Sequence, residues 1–459
     1  MTMFAEADID LSTPMHVHVV GVGGAGMSAI ASVLATMGHT VSGSDLKSTS
    51  VTSRLGAQGI RVSIGHAAQN VLGSDLVTFS PAVASQNPEL VAASEAGIRI
   101  VGRERILAVI STMRRSIAVG GTHGKTTTSS MLSLILVQAG LKPSFLIGAE
   151  VNEIGTNAVW DDGDWLVIEA DESFGTFRSL KPDIAVLTNV EPDHLDYYSD
   201  FGALRSAFGE FLAAGKVQAC VSGDDPIAFE LGKEHGALSV GTGPDMSFHM
   251  DDIVLRRSSL GFNLTGPRGL LGRIEMPVPG MHNARNAALA TVASLSAGAT
   301  FSDAQRALAR FAGVSRRFEF RGSSNGVTFV DDYAHLPTEV KAALTTARDG
   351  QFRRVIAVFQ PHRYTRTQAL ARTFGTAFSQ ADLVFVTDVY SAGEQPIPGV
   401  SGRLVLDAIE SQDPDRVVVY APNRAELLEQ VLSALEPGDL CVTLGAGDLT
   451  TLSDSLQES

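Results

Sequence analysis

Ser116-Ile117-Ala118-Val119-Gly120-Gly121-Thr122-His123-Gly124-Lys125-Thr126-Thr127-Thr128 is the stretch whose reading decides the fold class. A short apolar run meets a glycine-rich loop, and the following TSSMLSLILVQAG has the composition of a helix. Strand, loop and helix in that order form the repeating unit of parallel α/β proteins. Backbone N–H groups in such a loop can cradle phosphates, the Lys125 ammonium can neutralise transferred charge, and the Thr126 hydroxyl suits Mg²⁺. The strict G-x-x-x-x-G-K-[ST] spacing is not met, because Val119 stands where the first glycine would be. The placement still favours phosphate binding by Gly120, Gly121, Thr122, His123, Gly124, Lys125, Thr126 and Thr127.

The same grammar recurs on both sides of this stretch. Upstream, His16 to Val20 precede GVGGAG. Downstream, Trp165 to Ile168 precede EADES, Ile184 to Leu187 precede TNVEPDHLD, and Val327 to Val330 precede DDYAH. Val355 to Phe359 precede QPHRYTR, and Leu383 to Thr387 precede DVYSAGE. In open α/β sheets the ligand crevice lies beyond the carboxyl ends of the strands, which is where all of these polar clusters would fall. A length of 459 residues suggests roughly three domains. Boundaries are expected after Thr112 and after Gly313, giving segments 1–112, 113–313 and 314–459. Residues 240 to 280 read as short strands and turns flanking the middle segment.

Gly21-Val22-Gly23-Gly24-Ala25-Gly26 fits G-x-G-x-x-G between a strand and a helical stretch from Met27 to Met37. Such a loop lets the backbone approach a diphosphate at a helix N-terminus. Asp45 closes the next strand, TVSGSD, where a ribose-binding carboxylate would sit. The motif alone does not separate NAD from a nucleotide sugar. Glu169, Asp171 and Glu172 follow one strand of the middle segment, and Glu191, Asp193, His194 and Asp196 follow another. Their oxygens suit Mg²⁺, and a histidine among them could hold a second divalent ion. Asn283 and Asn286 in GMHNARN could read an adenine edge or simply cap the helix that follows.

The formal charge of −15, from 35 basic and 50 acidic residues, argues against non-specific binding to nucleic acid or anionic lipid. Two cysteines, Cys220 and Cys441, cannot build a disulfide framework. The first fourteen residues carry acids but no Lys or Arg, the wrong charge for a signal peptide, and no apolar run approaches the roughly 18 residues a bilayer span needs. A cytoplasmic setting is expected. Two rival function classes explain less: a dehydrogenase leaves GTHGKTTT unused, and a nucleotide sensor leaves the acid and histidine clusters unused.

In chain order, VGVGGAGMS, GTHGKTTT, EADES, TNVEPDHLD, GMHNARNAALA, DDYAHLPTEV, FQPHRYTRT and DVYSAGEQPIPG resemble the Mur ligases over nearly the whole chain. HRYTRT and DVYSAGE are most similar to the branch that adds L-alanine. The resemblance implies an α/β fold in three domains: a Rossmann-like N-terminal domain, a central P-loop ATPase-like parallel sheet with flanking strands, and a Rossmann-like C-terminal domain. It implies ATP as co-substrate, Mg²⁺ or Mn²⁺ as cofactor, and UDP-N-acetylmuramate and L-alanine as partners in peptidoglycan precursor synthesis, with its consequences for cell shape and division. It turns the GxGxxG reading toward a UDP-sugar, assigned to Gly21, Gly23, Gly24, Gly26, Asp45 and Ser80. Lys125, Glu169 and His194 become catalytic. Thr126, Glu169 and His194 become metal ligands, and Asn283, Asn286 and Asp332 join the ATP site. Tyr333, His335, Arg363 and Arg366 fall at the amino-acid end. Two positions depart from the family pattern: Leu336 stands where this branch usually has a histidine, and Phe208 stands where other branches carry a carbamylated lysine.

Overall fold

The computed structural model describes residues 9–194 and 197–458, so Asp196 lies outside the described residues. The chain divides into two compact units. One comprises 1–252, 262–274 and 285–311, and the other 253–261, 275–284 and 312–459.

The first sheet has five parallel strands in the order Arg61–Ile64, Thr40–Asp45, His16–Val20, Leu76–Phe79, Arg99–Gly102. Strand order reverses beside His16–Val20, and a crevice at such a switch point receives ligands. The loop 21–24 leaves that strand and opens the helix Ala25–Thr36, two residues earlier than its apolar pattern suggests.

A second sheet of ten strands follows the order Gly269–Met276, Leu260–Gly266, Phe248–Leu255, Leu238–Gly241, Gln218–Ser222, Ile184–Leu187, Arg115–Gly120, Trp165–Glu169, Ser144–Val151, Thr156–Val159. The phosphate-loop strand therefore lies between the two strands that carry the acid clusters, parallel to both. Ile117, Ala118 and Val119 have no exposed surface. Strands covered on both faces read as continuous apolar runs, which is why this one was legible. Its helix Lys125–Gln138 is buried from Thr126 to Leu136. On this buried helix Ser130 Oγ donates to the Thr126 carbonyl at 2.8 Å, whereas the hydroxyls of Thr128, Ser129 and Ser133 find no acceptor. Phe208 is fully buried, its ring 5.1 Å from that of Phe177. Cys220 and Cys441 are both free and buried.

In the other unit a six-stranded sheet runs Glu319–Ser324, Val327–Asp332, Leu440–Leu444, Val355–Phe359, Leu383–Val386, Val417–Tyr420. Its first pair is antiparallel and the rest parallel. Helix Pro337–Asp349 covers one face through Val340, Ala343, Leu344 and Ala347. Leu336 precedes that helix and is 3 % exposed, so the residue that replaces the usual histidine sits in the core. Among the described residues no helix is long and apolar enough to cross a membrane.

Candidate active site

The glycine loop is braced from the neighbouring strand. Gly21 and Val22 donate their amides to the Ser44 carbonyl at 2.8 and 2.9 Å, and Gly23 donates to Asp45 Oδ2 at 2.9 Å. Asp45 thus supports the loop directly. Ser80 continues the strand on the other side, its amide 3.1 Å from the Val20 carbonyl. Gly24 and Gly124 open their helices without a side-chain cap, so the first-turn amides that a capping hydroxyl would take are available to an anion. Gly124 adopts φ +77°, and a Cβ there would stand 2.7 Å from Asn286 Oδ1, so only glycine lets Asn286 approach the phosphate loop. Asn283, by contrast, turns its Nδ2 to the Pro279 carbonyl at 2.7 Å and is buried.

Around the loop, His123 donates its amide to Asn189 Oδ1 at 2.8 Å, and its Nε2 lies 3.2 Å from Glu191 Oε2. Thr126 Oγ1 donates to Glu169 Oε1 at 3.0 Å, while Gly148 N donates to Glu169 Oε2 at 2.7 Å. A hydroxyl and a carboxylate side by side, next to a phosphate loop, fit Mg²⁺. That ion commonly takes one or two protein oxygens and fills its shell with phosphate and water. Among the described residues no group of three or more acid, histidine or cysteine side chains is placed to hold a metal ion by itself.

Lys125 Nζ donates to the carbonyls of Gly121 and Thr122 at 2.6 and 3.2 Å, and to both oxygens of Glu172 at 2.9 and 2.7 Å. Burial alone would lower the lysine, but Glu172, Asp171 and Glu169 hold it above its ordinary value. Burial pushes Glu172, 2 % exposed, up to about 7 despite Lys125. His194, at φ +53°, places Nε2 3.4 Å from Asp193 Oδ2 and 3.9 Å from Glu172 Oε1. The structure therefore joins Lys125, Thr126, Glu169, Glu172 and His194. Glu172 was visible only as one of three nearby acids. Arg103 also escaped the sequence reading: its Nη2 lies 2.9 Å from Asp171 Oδ2, and its Nη1 is next to Gly26.

In the other unit, Asp332 accepts the amides of Phe318 and Ala334, both at 2.7 Å, and burial raises its carboxyl to about 6. Tyr333 stacks with the guanidinium groups of Arg316 and Arg317, each 4.9 Å from its ring centroid, and meets His335 edge-on. The His335 ring lies 5.6 Å from that of His362, which stacks on Tyr390. Arg366 Nη1 donates to His362 Nδ1 at 3.0 Å, and burial, with the nearby charges of His335, Arg366 and Arg363, drives His362 down to about 3. Arg363 donates from Nε to Glu394 Oε1 at 2.7 Å. All four residues assigned to the amino-acid end thus share one cluster. Arg316 was missed; its Nη2 holds the carbonyls of Gly445 and Gly447 at 2.6 and 3.2 Å. Nothing in the spelling RRFEF separates such a loop clamp from a surface pair.

The three α/β sheets, with these clusters at the ends of their strands, are the framework of an ATP-dependent ligase. Three family models match in order: "Mur ligase family, catalytic domain" over 16–115, "Mur ligase middle domain" over 119–294, and "Mur ligase, glutamate ligase domain" over 316–447. The chain belongs to the Mur ligase family. It is 42 % identical to the UDP-N-acetylmuramate--L-alanine ligase of Pelotomaculum thermopropionicum, covering 95 % of each chain. Its identity with the enzyme of that name from Anaeromyxobacter dehalogenans is also 42 %, over 97 % of this chain and 98 % of the relative. Among solved structures, the UDP-N-acetylmuramate-alanine ligase MurC of Thermotoga maritima superposes with a TM-score of 0.82 at 27 % identity, covering 97 % of this chain and 98 % of that one.

Proposed function

We propose that this chain is an ATP-dependent ligase that adds L-alanine to the lactyl carboxylate of UDP-N-acetylmuramate, a step of peptidoglycan precursor synthesis. The observation that carries the reading is the convergence of Lys125, Thr126, Glu169, Glu172 and His194 at the ends of adjacent parallel strands, in a chain whose full-length relatives bear that name. Residues 1–112, 113–313 and 314–459 are assigned to UDP-sugar binding, ATP binding, and a C-terminal domain for the amino acid.

In this account the amides of residues 120–124 and the Lys125 ammonium hold the ATP phosphates. The sugar's carboxylate attacks the γ-phosphorus, ADP leaves with the electron pair of the broken P–O bond, and Lys125 stabilises charge that grows on the transferring oxygens. Thr126, Glu169 and His194 would hold divalent cations, which when bound supply further positive charge there. The acyl phosphate so formed is attacked by the neutral amine of L-alanine, and phosphate leaves with the electron pair of the broken C–O bond. Arg363 and Arg366 bind the alanine carboxylate, with Tyr333 and His335 beside them. On the sugar side, Gly21, Gly23, Gly24, Gly26, Asp45 and Ser80 form the diphosphate crevice. Asn286 and Asn283 are assigned to adenine and Asp332 to the nucleotide's ribose or phosphates. Both nucleotide substrates are cytosolic compounds, and we place the protein in the cytoplasm. Mass spectrometry of the reaction tests the assignment: the sugar nucleotide should gain one alanyl residue, and recovery of unmodified UDP-N-acetylmuramate after ATP has been consumed would refute it.

A further inference from the structure

Arg363 occupies a backbone conformation, φ +70°, that side-chain-bearing residues seldom adopt. Such a conformation persists only where the surroundings over-determine it, and here they do. Its amide donates to the Tyr390 carbonyl at 2.8 Å, and its own carbonyl accepts from Thr367 N at 3.0 Å and Thr367 Oγ1 at 2.8 Å. The side chain is held by the Glu394 carboxylate. Glu394 Oε1 accepts from Arg363 Nε at 2.7 Å and from Thr365 Oγ1 at 2.7 Å, while Oε2 accepts from Thr365 N at 3.0 Å. Glu394 is itself set by its amide, which donates to the Ser391 carbonyl at 3.0 Å. One acid on the 388–394 loop therefore locks both the start of helix Tyr364–Leu370 and the plane of the guanidinium. Its side chain is 16 % exposed, so water competes weakly for these bonds.

We infer that Glu394 is a positioning residue for amino-acid recognition, acting through Arg363. This rests on the reading of Arg363 as the partner of the alanine carboxylate. A guanidinium carries five N–H donors on one plane, so a carboxylate on Nε can orient the group while the substrate is held by the same plane. Alanine offers few other polar handles, and a few degrees of rotation in Arg363 would misalign a bidentate pair. Burial alone would raise the Glu394 carboxyl, but the Thr365 bonds and Arg363 hold it below its ordinary value and keep the lock charged.

The test is steady-state kinetics on Glu394→Gln, Arg363→Lys and the double variant, with KM read separately for alanine, ATP and the sugar nucleotide. Glu394→Gln keeps the shape but loses the charge and one acceptor. It should raise the alanine KM roughly tenfold and leave the other two within about twofold. Because both residues act in series, the double variant should resemble Arg363→Lys instead of showing the product of the two effects. Thr365→Val, a milder cut into the same lock, should raise the alanine KM by about threefold, and it serves if Glu394→Gln fails to fold. An unchanged alanine KM in Glu394→Gln alongside a raised one in Arg363→Lys would overturn the role of Glu394 alone, as would fully multiplicative effects. An unchanged alanine KM in Arg363→Lys would overturn the underlying reading of Arg363, and this inference with it.

Discussion

Lys125 sits among oxygens: two carbonyls of its own loop and both oxygens of Glu172 lie within 3.2 Å of Nζ. An arriving γ-phosphate would offer the same ammonium a more highly charged partner, and the carboxylate of Glu172 would then share it. Phosphoryl transfer moves charge onto oxygens near that ammonium, so its contribution is greater in the transition state than in ATP binding. Lys125→Ala should therefore lower kcat by roughly 10² or more while changing the KM for ATP much less. Near-normal kcat in a variant that unfolds at the parent temperature would remove Lys125 from the chemistry. The motif GTHGK made this lysine legible. Its partner was not, because Glu169, Asp171 and Glu172 stand within four positions and spacing alone ranks them equally. In the fold Glu172 immediately precedes the turn Ser173–Ser179 and is buried.

Among the elements, the first sheet rests on an unusual buried polar network. Glu89, fully buried near the start of helix Pro88–Glu95, accepts from Ser44 Oγ at 2.6 Å and from Asn70 Nδ2, and lies 3.1 Å from His66 Nδ1 and 3.7 Å from His18 Nε2. Ser44 in turn carries the carbonyl that braces Gly21 and Val22, so the network underlies the diphosphate loop. Burial alone would raise the Glu89 carboxyl, but the neighbouring His18 and the bonds from Ser44 and Asn70 outweigh it and hold the group at about 2, against 4.5 ordinarily. A depressed acid stabilises the fold above its unfolded value, and that stabilisation is lost as pH falls from about 4.5 through about 2. Glu89→Gln should lower the opening free energy of this sheet, measured by hydrogen exchange at pH 7, by up to about 3 kcal/mol, with the deficit shrinking toward pH 3. A deficit independent of pH would assign the loss to packing instead. Strands were read from apolar runs that end in polar clusters, as at His16–Val20 beside this network and Val355–Phe359 in the six-stranded sheet. Arg61–Ile64 escaped, being largely exposed and ending in Ile64, which offers no such cluster. Helix Phe301–Leu308 ends short of the boundary expected after Gly313, because helix ends depend on capping and packing that an apolar pattern does not encode.

At the scale of the whole molecule, the proposed reaction joins three chemistries that no single motif specifies: a sugar nucleotide assigned to the first sheet, ATP to the second and an amino acid to the third. The order of motifs along the chain made this combination legible, and the family models match in the same order. The arginine cluster was less so, since Arg363 depends on Glu394 across 31 positions of sequence and on a left-handed backbone that no pattern of hydrophobicity announces. Phosphate release from ATP reads the coupling of these three chemistries. With Mg²⁺, ATP, UDP-N-acetylmuramate and L-alanine together, ADP and phosphate should form in step with one another. Omitting any one of the four should suppress sustained release to background. Undiminished release without the sugar nucleotide or without L-alanine would rule out the coupled reaction.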